Sequence, residues 1–199
     1  MTYIELDEAQ RGLTRSQTIN SVVISAVAVL LVGVGLLMRN SAAAATQPFL
    51  HEGSGIRAQL PLNWLVTTDD PGFVVQAEDA SAIPFKTLLR VSLEPVGAEA
   101  TPRNVVDTLT LQRSGRLSSY RVLSTEATTI GEDEALEMDY AYVQTESNPA
   151  LNAVPIVVRG RDVVVIRGNQ AVVITYLEER SRFEENENQF DRFLDTLEF

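Results

Sequence analysis

The sequence contains no cysteine, and Lys86 is its one lysine. The lack of cysteine excludes disulfide bonds, iron–sulfur clusters, thiolate nucleophiles and thiolate zinc sites. Basic residues are also scarce, because 16 Lys and Arg face 27 Asp and Glu and give a formal net charge of −11. A nucleic-acid surface needs clustered Lys and Arg to neutralise phosphates, so this charge argues against a nucleic-acid partner.

What is present is the composition of a folded protein, with 45% hydrophobic and 22% charged residues. Residues 16–38 carry no charge and are flanked by Arg15 and Arg39. Because roughly 20 apolar residues in a helix span a ~30 Å hydrocarbon layer, this stretch is long enough to cross a membrane. We therefore divide the chain into a cytoplasmic N-terminal segment (1–15), a transmembrane helix (16–38), a tether (39–52) and an exported domain (53–199).

A cleavable signal peptide is the alternative to an anchor, since the small residues 41–45 resemble a cleavage region. Acidic residues precede the apolar core that begins at Val22, and Arg39 lies where such a region is usually neutral, which favours an uncleaved anchor. Arg11 and Arg15 on the amino side outnumber Arg39 on the other side. This bias favours a cytoplasmic N-terminus, and hence a single-pass cell-membrane protein with an extracytoplasmic domain.

One face of the predicted anchor carries small side chains. Ser21, Ser25, Ala28 and Gly35 follow one another at intervals of four, three and seven residues, which are helical spacings. Small faces let membrane helices approach closely, so these residues are candidates for membrane-helix packing. The alternative is that membrane helices are commonly rich in small residues.

The domain has the pattern of strands and helices in the order β-β-β-α-β-β-β-β-β-α. Residues 87–94 alternate between apolar and polar side chains, as a strand does. Thr101 and Pro102 predict the start of a helix whose apolar side includes Val106, Leu109, Arg113 and Leu117.

Turns and a final helix complete the pattern. Residues 159–161 and Gly168-Asn169 are predicted turns between strands, and the second is a strong hairpin signal. Ser181 and Glu184 predict a capping box before the last helix, whose apolar stripe is Phe183, Phe190, Phe193, Leu194 and Leu197. The sequence therefore predicts an α+β domain with helices covering an antiparallel sheet.

Several of these features together resemble a known superfamily. The segment Leu60-Pro61-Leu62-Asn63-Trp64 is similar to the strand, Pro, x, x, Trp opening of PsbP/Mog1-like domains. The helix over 101–117, the hairpin over 163–177 and the closing phenylalanine helix continue the resemblance, which spans 53–199. It implies an α/β/α sandwich around an antiparallel sheet.

Members of that superfamily mostly act as non-enzymatic accessory or assembly proteins, including extrinsic photosynthetic subunits and small envelope proteins. The sequence lacks the long basic stretch and the His pair of plant photosystem members. The resemblance therefore implies an accessory role without implying a photosystem II role.

Residues for catalysis or cofactor binding are sparse. The single histidine, His51, lies in the predicted tether, and no Walker A loop occurs. Glu132-Asp133-Glu134 forms an acidic turn without the alternating spacing of a calcium loop. We expect no catalytic residue, cofactor or metal site; a hydrolase with two converging carboxylates is the enzymatic alternative.

A partner or ligand surface is predicted at Trp64, Arg159, Arg161 and Arg167. An aromatic side chain after a strand can face a ligand or fill the edge of the core. The arginines can bind carboxylates of an acidic partner, or they can pair across strands with Glu137, Glu178 or Glu179.

These observations lead to two functional expectations. The first is a non-enzymatic, single-pass membrane subunit that assembles with or stabilises a larger membrane protein complex, with other integral membrane subunits and the lipid bilayer as partners. The alternative is a membrane-anchored extracytoplasmic module that binds a small ligand or a cell-envelope component beside Trp64.

Overall fold

The computed structural model describes residues 15–43, 45–68, 70–145 and 154–199, and these contain three helices and nine strands. Most of the predicted N-terminal segment, including Arg11, lies outside the described residues. The chain divides into two compact units, and the boundary falls between Ala45 and Thr46.

Helix α1 (Arg15–Ala43) forms the first unit and includes the whole uncharged stretch. Side chains are described for residues 20–35, and the apolar ones are exposed, from 44% at Val34 to 73% at Val29. A search of the described helices for a membrane-crossing segment finds none.

The second unit contains two helices and all nine strands. The helices are α2 (Pro102–Ser114) and α3 (Phe183–Asp195). The strands are β1 (Thr46–Leu50), β2 (Arg57–Pro61), β3 (Leu65–Thr67), β4 (Val75–Glu78), β5 (Leu88–Pro95), β6 (Ser118–Ile130), β7 (Asp133–Gln144), β8 (Ile156–Arg167) and β9 (Gln170–Glu179).

Seven of the strands form one antiparallel sheet in the order β3-β4-β5-β9-β8-β7-β6, and β1 pairs with β2 separately. Helix α3 and the β1–β2 pair pack on one side of the sheet, around Phe183, Phe190 and Phe193. Helix α2 packs on the other side through Val105 and Val106. The predicted α/β/α sandwich around an antiparallel sheet is therefore confirmed.

The predicted tether (39–52) is wrong at both ends. Helix α1 continues to Ala43, because alanine is the best helix former. Residues 46–50 form β1, whose partner is β2, so the domain begins at Thr46. Pro48 fits this strand because β1 is an edge strand, where a missing N–H breaks no ladder hydrogen bond.

The predicted turn at residues 159–161 is also wrong. Strand β8 runs without interruption through Gly160 and pairs with β7 on one side and β9 on the other. The glycine is required by a close approach, because a Cβ at this position would lie 2.3 Å from Cζ of Tyr140. The hairpin turn at Gly168-Asn169 is confirmed and joins β8 to β9.

The two predicted helix starts have different outcomes. Thr101 caps α2, as predicted, and Asn104 completes the capping box. The predicted box of Ser181 and Glu184 does not form, since α3 begins after Arg182 without a side-chain cap. The Ser181 hydroxyl instead donates a hydrogen bond to Glu179.

Candidate functional site

A buried ion-pair cluster lies between the sheet and α3, and its centre is Asp139 of β7, which is 4% exposed. Arg161 Nε donates to Oδ1 of this carboxylate at 2.7 Å, and Arg159 Nη2 donates to Oδ2 at 2.7 Å. Burial alone would raise the pKa of Asp139, but these hydrogen bonds outweigh it and lower the pKa. The group is therefore ionised and stabilises the packing of α3.

The two arginines of this cluster have further partners. They form ion pairs of 3.1–3.6 Å, Arg161 with Glu137 and Glu187, and Arg159 with Glu184. Both guanidinium groups lie over the Phe183 ring, with Cζ 4.3 Å and 5.5 Å from its centroid. Of the sequence alternatives for these arginines, the structure shows cross-strand pairing. The acceptors are Glu137 and Asp139 rather than Glu178 or Glu179.

Arg167 does not belong to this cluster. It lies six residues from Arg161 on the same strand, which is ~20 Å along an extended chain. It pairs with Asp133 and lies over the ring of Phe199, 4.9 Å from the centroid. The structure therefore does not bring the three predicted arginines into one patch.

A second carboxylate, Glu178 of β9, is fully buried and lies on the α3 side of the sheet, as Asp139 does. It accepts hydrogen bonds from Arg182 Nη2 at 2.8 Å and from Asn186 Nδ2 at 3.3 Å. The hydroxyls of Thr87 and Tyr176 also donate to it. These contacts join β9, the start of α3 and Thr87, the residue directly before β5.

A third cluster lies on the α2 side and is centred on Asp162 of β8, which is fully buried. Its carboxylate accepts from Arg113 of α2 and from the Thr175 hydroxyl at 2.8 Å. The Arg113 guanidinium lies over the Tyr140 ring, 4.5 Å from its centroid. Burial by itself would lower the pKa of Arg113, but the adjacent Asp162 carboxylate outweighs it and raises the pKa.

Three cavities are lined by described residues of the domain. One of about 660 Å³ lies where β1 and β2 meet the end of α3, next to Phe49 and Thr196. One of about 340 Å³ lies between the loop after β5 and α2. The third, of about 300 Å³, includes Arg113 in its lining and opens beside the Asp162 cluster.

Trp64 and His51, which the sequence analysis named, both contact other residues of the domain. Trp64 is half-buried and packs against the core on the α3 side, and it lines none of these three cavities. His51 is half-buried at the end of β1, where Nδ1 is 2.8 Å from the Ser54 hydroxyl. Within the described ranges, no three His, Asp or Glu side chains are grouped as metal ligands.

The small residues of the predicted anchor lie in α1. Ser21, Ser25, Ala28 and Gly35 are all exposed.

Sequence analysis missed the buried roles of Asp139, Asp162 and Glu178. One signal was present, since Arg113 falls on the apolar side of α2 together with Val106. A charged group on a buried face requires a buried counter-ion, but the sequence does not say which strand supplies it.

Comparisons of the sequence with protein families and with curated proteins find no relative. No protein-family model matches the sequence. A search of curated proteins finds no match either.

Solved structures do match, all at low identity. Cyanobacterial PsbP (CyanoP) from Synechocystis is 13% identical with a TM-score of 0.55, over 78% of this chain and 92% of that chain. LpqN of Mycobacterium tuberculosis, involved in cell envelope biogenesis, is 13% identical with a TM-score of 0.53, over 77% and 89%. The Ran-binding protein Mog1p of Saccharomyces cerevisiae is 10% identical with a TM-score of 0.50, over 77% and 95%.

These similarities define the class of fold. The domain has a PsbP/Mog1-like α+β fold, as the sequence resemblance implied. At this level of identity the comparison concerns the fold and not the activity.

Proposed function

We propose that this chain is a non-enzymatic, single-pass membrane protein that serves as an accessory, assembly or stabilising subunit of a larger membrane complex. The observation that carries the proposal is the uncharged segment 16–38 preceding a PsbP/Mog1-like domain. The buried carboxylates support a non-enzymatic role, because Asp139, Asp162 and Glu178 are each paired with arginine and stabilise the fold.

The proposed anchor is residues 16–38 of α1. The helix has 29 residues, about 43 Å at 1.5 Å per residue, which exceeds a ~30 Å hydrocarbon layer. Its described apolar side chains are exposed, and lipid would solvate them. The arginine bias around the segment supports a cytoplasmic N-terminus and an extracytoplasmic domain.

The absence of cysteine allows a clean test of this topology. Thr2→Cys and Glu132→Cys each introduce one thiol, on opposite sides of the proposed anchor. A membrane-impermeant maleimide should label Glu132→Cys in intact cells. It should label Thr2→Cys only after the cells are lysed. Release of the chain from membranes by alkaline carbonate would contradict the anchor, and labelling of Thr2→Cys in intact cells would contradict the orientation.

The complex is tested by native purification of the full chain, tagged at its C-terminus and solubilised in mild detergent. We expect other integral membrane subunits to co-purify in fixed ratio. Recovery of the chain as a monomer alone would contradict the accessory role.

A matched pair of variants tests whether the small-residue face of α1 contacts those subunits. Ala28→Leu fills this face, whereas Ala26→Leu makes the same change on the other side of the helix. We expect Ala28→Leu to reduce co-purification and Ala26→Leu to preserve it, because close helix approach needs small side chains. Equal recovery from the two variants would count against this face.

The alternative function is a binding module for a small ligand or a cell-envelope component beside Trp64. The similarity of the fold to LpqN, which is involved in cell envelope biogenesis, is consistent with it. This alternative predicts saturable ligand binding without any partner subunit, weakened by Trp64→Leu. The core packing of Trp64 makes Trp64→Phe the variant that separates lost packing from lost ligand contact.

A further inference from the structure

The two faces of the sheet are covered to different extents. Helix α2 makes most of its contacts with β6, β7 and β8, and part of the same face of β5 and β9 lines a cavity. The cavity of about 300 Å³ lies there. Arg90 and Ser92 of β5, together with Thr175 of β9, line it from the sheet, and Arg113 and Arg116 line it from the α2 side. Its volume is at the lower end of the range for small-molecule sites.

Arg113 is fixed in position at this cavity. Asp162, fully buried, pairs with one of its terminal nitrogens, and the Tyr140 ring lies against its guanidinium plane. Because the side chain is already ordered, binding a ligand there loses little rotamer entropy.

Arg90 is fixed in the same manner. Its Nε donates to Gln76 Oε1 at 2.7 Å, and its guanidinium lies 5.2 Å from the centroid of the Phe73 ring. The Gln76 amide is oriented in turn by a 2.6 Å hydrogen bond to Glu78. Within the described part of the chain, the two terminal nitrogens of Arg90 have no hydrogen-bond partner, so they remain available to an acceptor in the cavity.

A tyrosine also contributes to the lining of this cavity, near both arginines. Tyr142 lines the cavity and is 8% exposed. Burial raises the pKa of its hydroxyl, and the charges of Arg113 and Arg90 both act in the opposite direction. The hydroxyl is therefore neutral at pH 7 and can donate a hydrogen bond to an anion.

We propose that this cavity binds a small organic carboxylate, with Arg90, Tyr142 and Arg116 as its polar contacts. The ordered guanidinium group of Arg90, the Tyr142 hydroxyl and the exposed guanidinium group of Arg116 fit a carboxylate, which accepts charge-assisted hydrogen bonds. Arg113, held by Asp162, adds positive charge beside them. The cavity is locally positive on a chain of net charge −11, because its three arginines outnumber Glu94 and the buried Asp162. The apolar lining, Leu109, Leu117, Val173 and Leu177, fits a hydrocarbon body on the carboxylate.

This site lies on the α2 side of the sheet, and Trp64 packs against the α3 side. The proposal is independent of the accessory role, because ligand binding and subunit co-purification are measured separately.

The probe is 4-fluorobenzoate, observed by 19F NMR with the full chain in mild detergent. Its uncharged isostere, 4-fluorobenzamide, is the control for apolar partitioning into the cavity or the micelle. We expect saturable binding of the carboxylate and at least about tenfold weaker binding of the amide, since a charge-assisted pair is lost.

Variants locate the binding. Arg90→Gln should weaken 4-fluorobenzoate about tenfold or more, and Arg116→Gln and Tyr142→Phe about threefold each. Arg103→Gln is the matched control, because Arg103 lies on α2 away from the cavity and pairs with Asp107 on the exposed surface. The control should leave the affinity unchanged.

Three results would overturn the proposal. The first is no saturable binding of 4-fluorobenzoate up to about 10 mM. The second is an unchanged affinity in Arg90→Gln with the fold intact by circular dichroism. The third is displacement of the probe by equimolar inorganic phosphate, which would show an anion site without a preference for an organic carboxylate.

Discussion

Asp139 and Asp162 are both buried carboxylates of the central sheet, but their surroundings differ. Asp139, on the α3 side, accepts hydrogen bonds from two arginines that also pair with outer carboxylates. Asp162, on the α2 side, pairs with one arginine, Arg113, and otherwise accepts from hydroxyl groups. The first cluster is closed by Phe183, and the second opens onto a cavity.

The two clusters differ in how many ion-pair partners each buried charge has. In the α3-side cluster each arginine has several acidic partners, so removing one partner leaves the others charged and paired. In the α2-side cluster a single ion pair orients Arg113 toward the cavity. The α3-side cluster therefore stabilises the fold with redundancy, and the α2-side cluster stabilises it without redundancy.

The largest effect is expected from Arg113→Met. It leaves the fully buried Asp162 without a cationic partner, and removing one partner of a buried pair costs about 3–5 kcal/mol. Urea denaturation of the full chain in mild detergent, followed by the fluorescence of the single tryptophan, measures this loss. Arg103→Met is the control and should change stability by less than about 0.5 kcal/mol, since its pair with Asp107 is exposed.

The double variant Arg113→Met/Asp162→Asn sharpens this prediction. Neutralising Asp162 removes the unpaired charge, so the double variant should be more stable than Arg113→Met alone. A double variant as unstable as the sum of its two single changes would show that the charge of Asp162 is not the cause.

Gly160→Ala is expected to have the second-largest effect. Gly160 lies between Arg159 and Arg161 on β8, and an added Cβ would lie 2.3 Å from Cζ of Tyr140, whose ring is 1% exposed and contacts Arg113. Because this ring cannot move away freely, we expect a loss of about 1–3 kcal/mol in the free energy of unfolding.

Gly97→Ala is the matched control for Gly160→Ala, because no atom lies within 4 Å of the added Cβ. It should be neutral or slightly stabilising in the same urea titration. If both variants unfold at the same urea concentration, the contact with Tyr140 does not restrict position 160.

The same glycine shows how far the sequence predicts the fold. Alternation and turn residues predicted the strand over 87–94, the hairpin turn at Gly168-Asn169 and the positions of α2 and α3. They failed at Gly160, which suggested a turn, because its reason is the Tyr140 ring on a neighbouring strand. Strand β1 was missed because it was assigned to the tether, and β3 was missed because its three residues are too few to show alternation.

The candidate sites were less predictable than the strands, because they depend on contacts between residues that are distant in the sequence. Asp139 alternates with the apolar residues Met138 and Tyr140, a pattern typical of a solvent-exposed strand face, but α3 covers that face. Arg90 and Ser92 were correctly placed on one side of β5, opposite Leu89 and Val91. That they meet Arg113 at a cavity depends on pairing between distant strands, which local patterns do not specify.

Arg159→Met tests the redundancy of the α3-side cluster. Asp139 keeps Arg161 as a partner, so we expect a loss of about 1 kcal/mol, clearly smaller than that of Arg113→Met. The comparison uses the same urea titration of the full chain. A loss equal to that of Arg113→Met would mean that the second arginine does not compensate, and the contrast between the clusters would fail.

The smallest effect is expected in the pH dependence of stability. The lowered pKa of Asp139 means that its ion pairs stabilise the domain above the ordinary carboxyl value of about 4, and that this contribution is lost as the pH falls through the lowered pKa. Burial raises the pKa of Glu137 despite Arg161, so protonation of Glu137 acts in the opposite direction, over the range just above its ordinary value. As the pH falls below 4, the free energy of unfolding should therefore decrease more steeply for the wild type than for Asp139→Asn. Glu137→Gln should keep this steep decrease. It should lose the small increase in the free energy of unfolding that protonation of Glu137 causes at slightly higher pH. Parallel curves for the wild type and Asp139→Asn would show that Asp139 has the same pKa in the folded and unfolded chains, and its two arginines would then provide packing rather than charge stabilisation.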